Sequence, residues 1–170
     1  MTFHSWRGVA ALALLLALAP DAISADLTIG FDGIDAITIG TPLSHMRVPL
    51  EQPIQKFAQQ PSGQCFYARP ENDQRYAFMF IDDVLTRIDV MAPGLRTAAG
   101  VGVGDPLSRV REAYGRAIVE EPDFYDDAET YLTITSADGS HSIRFMTSHD
   151  KVSEIILGTT QAVRYVEECL

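Results

Sequence analysis

The sequence has few of the residues by which catalytic and metal sites are usually recognised. Its 170 residues include two cysteines and four histidines, and the histidines lack the paired spacing of a zinc site. There is no Gly-x-Ser-x-Gly motif of the kind that carries a hydrolase nucleophile. Ser148, His149 and Asp150 are consecutive, whereas the members of a catalytic triad come from separate segments. We therefore predict no catalytic residue, no metal site and no cofactor.

Long apolar runs are also missing outside the first residues of the chain. There, one positive charge at Arg7 precedes an apolar run over residues 9–19, which small residues follow. This pattern is typical of a secretory signal peptide and is too short to span a bilayer, which needs roughly 20 residues. We expect residues 1–25 to be removed, by cleavage after Ala25 or alternatively after Ser24. No cysteine follows to carry a lipid anchor, so a periplasmic or extracellular protein without a membrane anchor is expected.

Positive charge is scarce, with 13 Lys and Arg against 23 Asp and Glu. Removing the first 25 residues takes away one base, Arg7, and one acid, Asp21, so these counts fall to 12 and 22 and the net charge stays at −10. A protein this acidic repels phosphate backbones, which argues against a nucleic-acid partner. The remaining residues 26–170 are the length of one ordinary domain.

Both cysteines, Cys65 and Cys169, lie after the proposed cleavage site. In an oxidising compartment two thiols of a small secreted domain usually pair. We predict a disulfide that ties the middle of the chain to its last residues, worth about 4 to 5 kcal/mol in the chain-entropy model. Two buried, unpaired thiols are the alternative.

Two stretches of the chain match each other in the same order. Residues 37–44 align with 101–108, and residues 78–88 align with 145–155. This predicts an internal repeat, with copies at about 34–92 and 98–158 and a C-terminal strand over 162–170. Apolar and β-branched patterning predicts strands in both copies, at residues 65–68, 76–81, 85–90, 131–135, 142–146 and 152–157.

Each copy begins with the same local pattern, a glycine turn followed by a capping residue and a proline. The glycine permits a sharp turn, the next side chain can cap a helix, and proline suits the first helical position. The matched pairs are Gly40 and Gly104, Thr41 and Asp105, and Pro42 and Pro106. The second helix is expected to end at Gly115, whereas Pro49 and Pro53 break the first into short turns. The predicted fold class is α+β, with two tandem helix-then-antiparallel-strand repeats forming one sheet and helices on one face.

This module resembles a known family, and residues 102–110 carry the resemblance best. The chain is similar to the tandem module of the beta-lactamase inhibitory protein and of small outer-membrane lipoproteins of the SmpA/OmlA type. It also resembles exported bacterial proteins of unassigned function. The resemblance implies protein binding without catalysis, or a part in envelope assembly. The chain departs from the lipoproteins by lacking their lipid-bearing cysteine.

The densest candidate site lies in residues 120–129, where six acids surround two adjacent aromatics. Exposed aromatics can anchor a partner protein, and acids can steer a basic one. The residues assigned to partner binding are Asp123, Phe124, Tyr125, Asp126 and Asp127. The expected partner is another exported or envelope protein. A solvated loop whose aromatics fold back onto the core is one alternative, and a calcium site is another.

A second acidic group surrounds the predicted hairpin of the first copy, at Asp82, Asp83 and Asp89. Converging carboxylates could act on a glycan. Strand alternation places Arg87 and Asp89 on one face, which more simply predicts a polar surface with a weak ion pair. The sequence thus favours an exported, non-enzymatic protein-binding module. The alternative is a small secreted hydrolase or glycan-binding protein whose carboxylates assemble only in the fold.

Overall fold

The computed structural model describes residues 27–46, 53–59, 63–167 and 169, and the predicted signal peptide lies outside them. Within these residues the chain forms twelve strands, one α-helix and three short 3-10 helices. The strands are β1 (Leu27–Ile29), β2 (Gly33–Ile34), β3 (Ile37–Thr38), β4 (Ile54–Gln59), β5 (Cys65–Pro70), β6 (Tyr76–Ile81), β7 (Val84–Val90), β8 (Leu95–Thr97), β9 (Val119–Pro122), β10 (Thr130–Thr135), β11 (His141–Ser148) and β12 (Lys151–Thr159). The helix α1 spans Leu107–Tyr114, and the 3-10 helices span Leu43–His45, Gly115–Ala117 and Ala162–Arg164.

The larger sheet has eight antiparallel strands in the order β4-β5-β6-β7-β12-β11-β10-β9. Its two halves meet where β7 pairs with β12. A second sheet has the order β3-β2-β1-β8, in which β1 and β8 are parallel. The main core lies between one face of the large sheet, the small sheet and α1, and Phe78, Phe145 and Val110 are fully buried in it.

The opposite face of the large sheet is also covered, around β5 and β6. Cys65, Tyr67 and Met79 form a second buried cluster with Ala162 and Cys169 from the C-terminal segment. Burial on both faces explains why β6 is a continuous apolar run rather than an alternating one. The predicted disulfide is confirmed, since Cys65 and Cys169 are bonded with their Cα atoms 5.4 Å apart.

The predicted α+β fold class is wrong, because the protein is mostly β, with 48% strand and a single short α-helix in the described residues. The second predicted helix is present as α1 and ends at Gly115, whose N–H bonds to the Arg111 carbonyl. Of the first, which was predicted to break into short turns, the described residues contain the 3-10 helix Leu43–His45. The chain after Pro53 pairs instead with β5 as the edge strand β4. With one α-helix in the described residues, these residues form no helical layer over the sheet.

Two further assignments differ from the structure. Residues 162–164 form a 3-10 helix where a strand was predicted. The acidic stretch Val119–Pro122, expected to be loop, is the edge strand β9, and all four of its side chains are exposed. Charged residues and proline suit an edge strand because they discourage pairing with another chain. Exposure on both faces removes the alternating pattern by which a strand is recognised.

The two glycine turns have the same backbone geometry. Gly40 and Gly104 adopt φ of 91° and 92°. The Gly40 N–H donates to the Leu85 carbonyl at 2.7 Å, and the Gly104 N–H donates to the Val152 carbonyl at 2.8 Å. Asp105 does not cap α1, as its carboxylate instead accepts the Gly102 N–H at 2.9 Å. The matched hydrogen bonds agree with the sequence alignment at these turns, and duplication of the whole unit remains a prediction.

Gly158 in β12 lies at the junction of the two half-sheets. A Cβ there would meet the Thr86 carbonyl and lie 2.8 Å from Arg87 Cα, whereas a Cβ at Gly104 has nothing within 4 Å. We expect Gly104→Ala to lower the free energy of unfolding by about 1 to 3 kcal/mol, which is the cost of placing alanine at a positive φ. In Gly158→Ala the added methyl group must also push β12 away from β7, so we expect the free energy of unfolding to fall by more than about 4 kcal/mol. Urea unfolding of both variants measures the difference, and equal losses would contradict this account.

Candidate functional site

A short C-terminal segment, residues 160–167 and 169, runs across the face of the large sheet that lies opposite the main core. Its Ala162 and Cys169 pack against the strands. The Arg87 guanidinium on β7 donates from Nη1 to the Tyr165 carbonyl at 2.8 Å. The segment is thus attached by the disulfide near its end and by an arginine in its middle.

Arg87 belongs to a buried network with Asp89 and Tyr67. Its Nε lies 2.6 Å from Asp89 Oδ1 and its Nη2 lies 3.1 Å from Oδ2, which also accepts the Tyr67 hydroxyl at 2.8 Å. Arg87 is 3% exposed and Asp89 is 2% exposed. Burial lowers the pKa of Arg87, but attraction to Asp89 and Tyr67 and the hydrogen bond to Asp89 together outweigh burial, so the pKa is raised. The predicted weak surface ion pair is therefore wrong, because the C-terminal segment covers it.

Beside this network the sheet face is open and forms a groove of about 410 Å³ between strands β9 to β11 and the C-terminal segment. A recess of about 70 Å³ adjoins it and shares Tyr131, Arg144 and Val166 with it. The groove is lined by Glu121, Pro122, Phe124, Tyr131, Arg144, Arg164 and Val166. Its volume lies within the range of small-ligand sites.

Arg144 on β11 is the central cation of the groove and is only 6% exposed. Its Nε donates to Thr133 Oγ1 at 3.1 Å, and its guanidinium carbon lies 4.6 Å from the centre of the Tyr131 ring. The Nη2 contact with Glu121 is long, at 3.5 Å, and the Glu121 side chain is half exposed. Burial lowers the pKa of Arg144, and the nearby Arg164 contributes to the same direction. The positive charge of Arg144 is thus largely removed from water and only weakly neutralised by a neighbouring carboxylate.

The loop at the groove's edge is ordered by hydrogen bonds to its backbone. Tyr131 accepts the Phe124 N–H at 3.1 Å through its hydroxyl oxygen, and Asp123 accepts the Tyr125 N–H at 2.8 Å. Burial raises the pKa of Tyr131. Asp126 accepts the Ala128 N–H at 3.0 Å. Asp123 and Asp126 therefore shape the loop.

The two loop aromatics project into solvent. Phe124 is 68% exposed and Tyr125 is 67% exposed, with their rings edge-to-face at 5.0 Å. The Tyr125 hydroxyl donates to Glu167 Oε1 at 3.2 Å, which links the loop to the C-terminal segment. The interpretation in which these aromatics fold back onto the core is thus wrong. Phe124 stands at the groove, and Asp127 is exposed farther along the loop.

The other acidic candidates do not converge. Asp82 and Asp83 form the left-handed turn between β6 and β7, where Asp83 lies 4.0 Å from Lys56. Asp89 is enclosed by its arginine, as described above. His149 and Asp150 form the equivalent turn between β11 and β12, both at positive φ. Among the described residues no group of three or more His, Cys, Asp or Glu side chains is placed to hold a metal ion.

Sequence reasoning missed Arg144, the residue around which the groove is organised. A signal was present, because Arg144 stands between Ile143 and Phe145 in an otherwise apolar strand. A charged side chain there must lie on the face opposite those two. What covers that face depends on the path of the C-terminal segment, which strand patterning does not specify.

No protein-family model matches the sequence, and no curated protein matches it. In the part of the chain that the structure describes, no helix has the length and apolarity needed to cross a membrane.

Among solved structures, the fold is similar to an extracellular protein containing a SCP domain from Bacillus anthracis str. Ames, with 7% identity and a TM-score of 0.52 over 87% of this chain and 51% of that one. This chain therefore spans about half of that protein. The uncharacterized protein yfeY from Escherichia coli is 15% identical, with a TM-score of 0.47 over 78% and 97% of the two chains. A cysteine-rich secretory protein from Staphylococcus aureus subsp. aureus Mu50 is 9% identical, with a TM-score of 0.44 over 72% and 45%. At these identities the similarity concerns the fold alone.

Proposed function

We propose that the protein is an exported, non-enzymatic binding module that holds a partner protein at the aromatic edge of the groove. One observation carries the proposal. Phe124 and Tyr125, each about two-thirds exposed, stand on an ordered loop beside a groove that contains a buried arginine. Large exposed aromatics beside a concave site are characteristic of protein-binding surfaces.

The loop is suited to binding because much of its order precedes any partner. Backbone N–H groups of the loop donate hydrogen bonds to the side chains of Asp123, Asp126 and Tyr131, and the Tyr125 hydroxyl donates to Glu167. A preordered loop loses little conformational entropy on association. The surrounding acids, which include the exposed Asp127, add attraction for a partner with basic residues.

Export is part of the same proposal. The Cys65–Cys169 disulfide is of the kind that persists in oxidising compartments. The first 25 residues have the pattern of a cleavable signal. We propose cleavage near Ala25 and a periplasmic or extracellular location, where the expected partner is another exported or envelope protein.

Replacing both aromatics, as Phe124→Ala/Tyr125→Ala, is expected to weaken partner capture by at least about tenfold, since truncated anchor residues typically cost 2 kcal/mol or more. The variant is expected to keep the melting temperature of the wild type within a few degrees, because both side chains are exposed. The measurement is affinity capture from a periplasmic extract, with each captured protein quantified.

The matched control is Met91→Ala/Val119→Ala. These side chains are also exposed and apolar, but neither lines the groove. The proposal requires that one protein captured by the wild type is retained by the control and lost with the aromatic variant. Equal capture by all three proteins would remove the loop from the binding surface.

A further inference from the structure

The interior of the groove has a different chemistry from its edge. Two arginines, Arg144 and Arg164, line it together with a single carboxylate, Glu121, which is half exposed. The chain as a whole has a net charge of −10. A local excess of positive charge in so acidic a protein indicates a site for a negatively charged group. We propose that the groove binds a carboxylate, namely the C-terminal carboxylate of a partner polypeptide; this inference rests on the binding role proposed above.

Arg144 is oriented to receive such a group. Thr133 holds Nε, and the face of Tyr131 supports the guanidinium plane. The residues that the structure describes provide acceptors for Nε and Nη2 and none for Nη1. A planar guanidinium that is already fixed binds a carboxylate through parallel hydrogen bonds at little entropic cost. Because Arg144 is largely desolvated, each such bond is stronger than at an exposed site.

Arg164 supplies the second positive charge from the other wall of the groove. It belongs to the 3-10 helix Ala162–Arg164 on the C-terminal segment, and its side chain is exposed. Arg164 repels Arg144, and this repulsion contributes to the lowered pKa of Arg144. A bound carboxylate relieves that repulsion. The two arginines therefore favour an anion more than either does alone.

The surroundings select a polypeptide terminus over a phosphate group. Asp126, Asp127 and Glu167 are exposed on the loop and the C-terminal segment, and they oppose a multiply charged anion. A C-terminal carboxylate carries one negative charge, and basic residues preceding it would be attracted by the same acids. Phe124 and Val166 provide apolar lining for its last side chain.

The test compares two peptides, acetyl-Lys-Leu-Phe with a free C-terminal carboxylate and the same peptide with a C-terminal amide. Isothermal titration calorimetry on the full mature protein gives both affinities. Amidation removes the charge and keeps the size, so we expect the amide to bind at least about tenfold more weakly, which is the loss of one charge-assisted interaction.

Arg164→Gln is the main variant because an exposed residue can be changed without loss of the fold. It should weaken binding of the carboxylate peptide about three- to tenfold and leave the amide peptide unchanged. Arg144→Gln should abolish the preference for the carboxylate, with circular dichroism confirming that it folds. Arg116→Gln is the matched control, since Arg116 is an exposed arginine in the 3-10 helix Gly115–Ala117 that does not line the groove.

Equal affinities for the two peptides, no binding of either at millimolar concentration, or an equal loss with Arg116→Gln would each overturn the carboxylate inference. These failures are separable from failure of the proposed function. If partner capture is lost with Phe124→Ala/Tyr125→Ala but is unchanged with Arg164→Gln, the binding-module proposal stands and carboxylate recognition is excluded. If the protein prefers the carboxylate peptide over the amide but the aromatic variant captures the partner normally, the carboxylate site stands and the loop is excluded as a partner-binding surface.

Discussion

Asp89→Asn is expected to destabilise the protein by about 3 to 5 kcal/mol, the range for breaking a buried ion pair. Asparagine keeps the shape of the side chain but removes the charge that compensates Arg87. Both side chains are almost completely buried, with a bidentate contact of 2.6 and 3.1 Å. The guanidinium would remain buried without a counterion. Urea denaturation at neutral pH, followed by far-UV circular dichroism, measures the loss.

The exposed pair of Arg109 and Glu112 on α1 provides the control. Its 3.4 Å contact joins side chains that are 44% and 74% exposed, so Glu112→Gln should change stability by less than about 0.5 kcal/mol. Replacing both buried partners, as Arg87→Met/Asp89→Leu, should cost less than Asp89→Asn alone, because no uncompensated charge remains. A loss below about 1 kcal/mol for Asp89→Asn would mean that water or another group compensates Arg87.

Removal of the disulfide, as Cys65→Ser/Cys169→Ser, is expected to cost about 2 to 5 kcal/mol. The bond closes a loop with a sequence separation of 104 residues, so its loss frees a large part of the unfolded chain. It also releases the end of the segment that carries one wall of the groove, including Arg164 and Val166. We therefore expect the double variant to lose peptide affinity in the groove as well as stability.

Thermal melts with and without a reductant measure this effect within one experiment. The reductant should lower the melting temperature of the wild type and leave that of the double serine variant unchanged. Peptide titration on the folded variant, at a temperature well below its melt, separates the loss of the groove from global unfolding. Unaltered stability after reduction would show that the Arg87 network alone holds the C-terminal segment in place.

The Arg87 network and the disulfide attach one segment at two points, so their effects are expected to couple. With the disulfide absent, Asp89→Asn should release the segment and allow water to reach Arg87. Its additional cost should then be smaller than in the wild type, by about 0.5 to 3 kcal/mol, the usual coupling range for linked sites. Denaturation of the single, double and triple variants gives this coupling energy directly.

The predictable parts of this protein are those in which one local signal decides the outcome. The strand Tyr76–Ile81 has the bounds that its apolar and aromatic run predicts, and α1 ends at Gly115 as its capping residue predicts. The Cys65–Cys169 pairing follows from having two thiols in a chain whose first residues predict export. In each case the sequence offers few alternatives.

The errors arise where two distant segments compete for the same surface. Residues 54–59 form strand β4 because β5 offers a free sheet edge, not because their own pattern favours a strand. Strand alternation correctly places Arg87 and Asp89 on one face, yet it cannot show that the C-terminal segment buries that face.

At the aromatic loop, too, the local sequence predicts some features and contacts between distant segments decide the others. The sequence of residues 120–129 identifies Phe124 and Tyr125 as candidate anchors, and both are exposed in the structure. The groove next to them requires Arg144 from β11 and Arg164 from the C-terminal segment, which come together only after the sheet is assembled.

By itself, the sequence determined the disulfide, the six central strands of the large sheet, their turns and the acidic aromatic loop, because these depend on neighbouring residues or on residue chemistry. Tertiary structure alone decided the edge strands, the burial of Arg87 with Asp89, and the cationic groove. These depend on which segment covers the second face of the sheet, and the free energy of that contact comes from residues far apart in the chain.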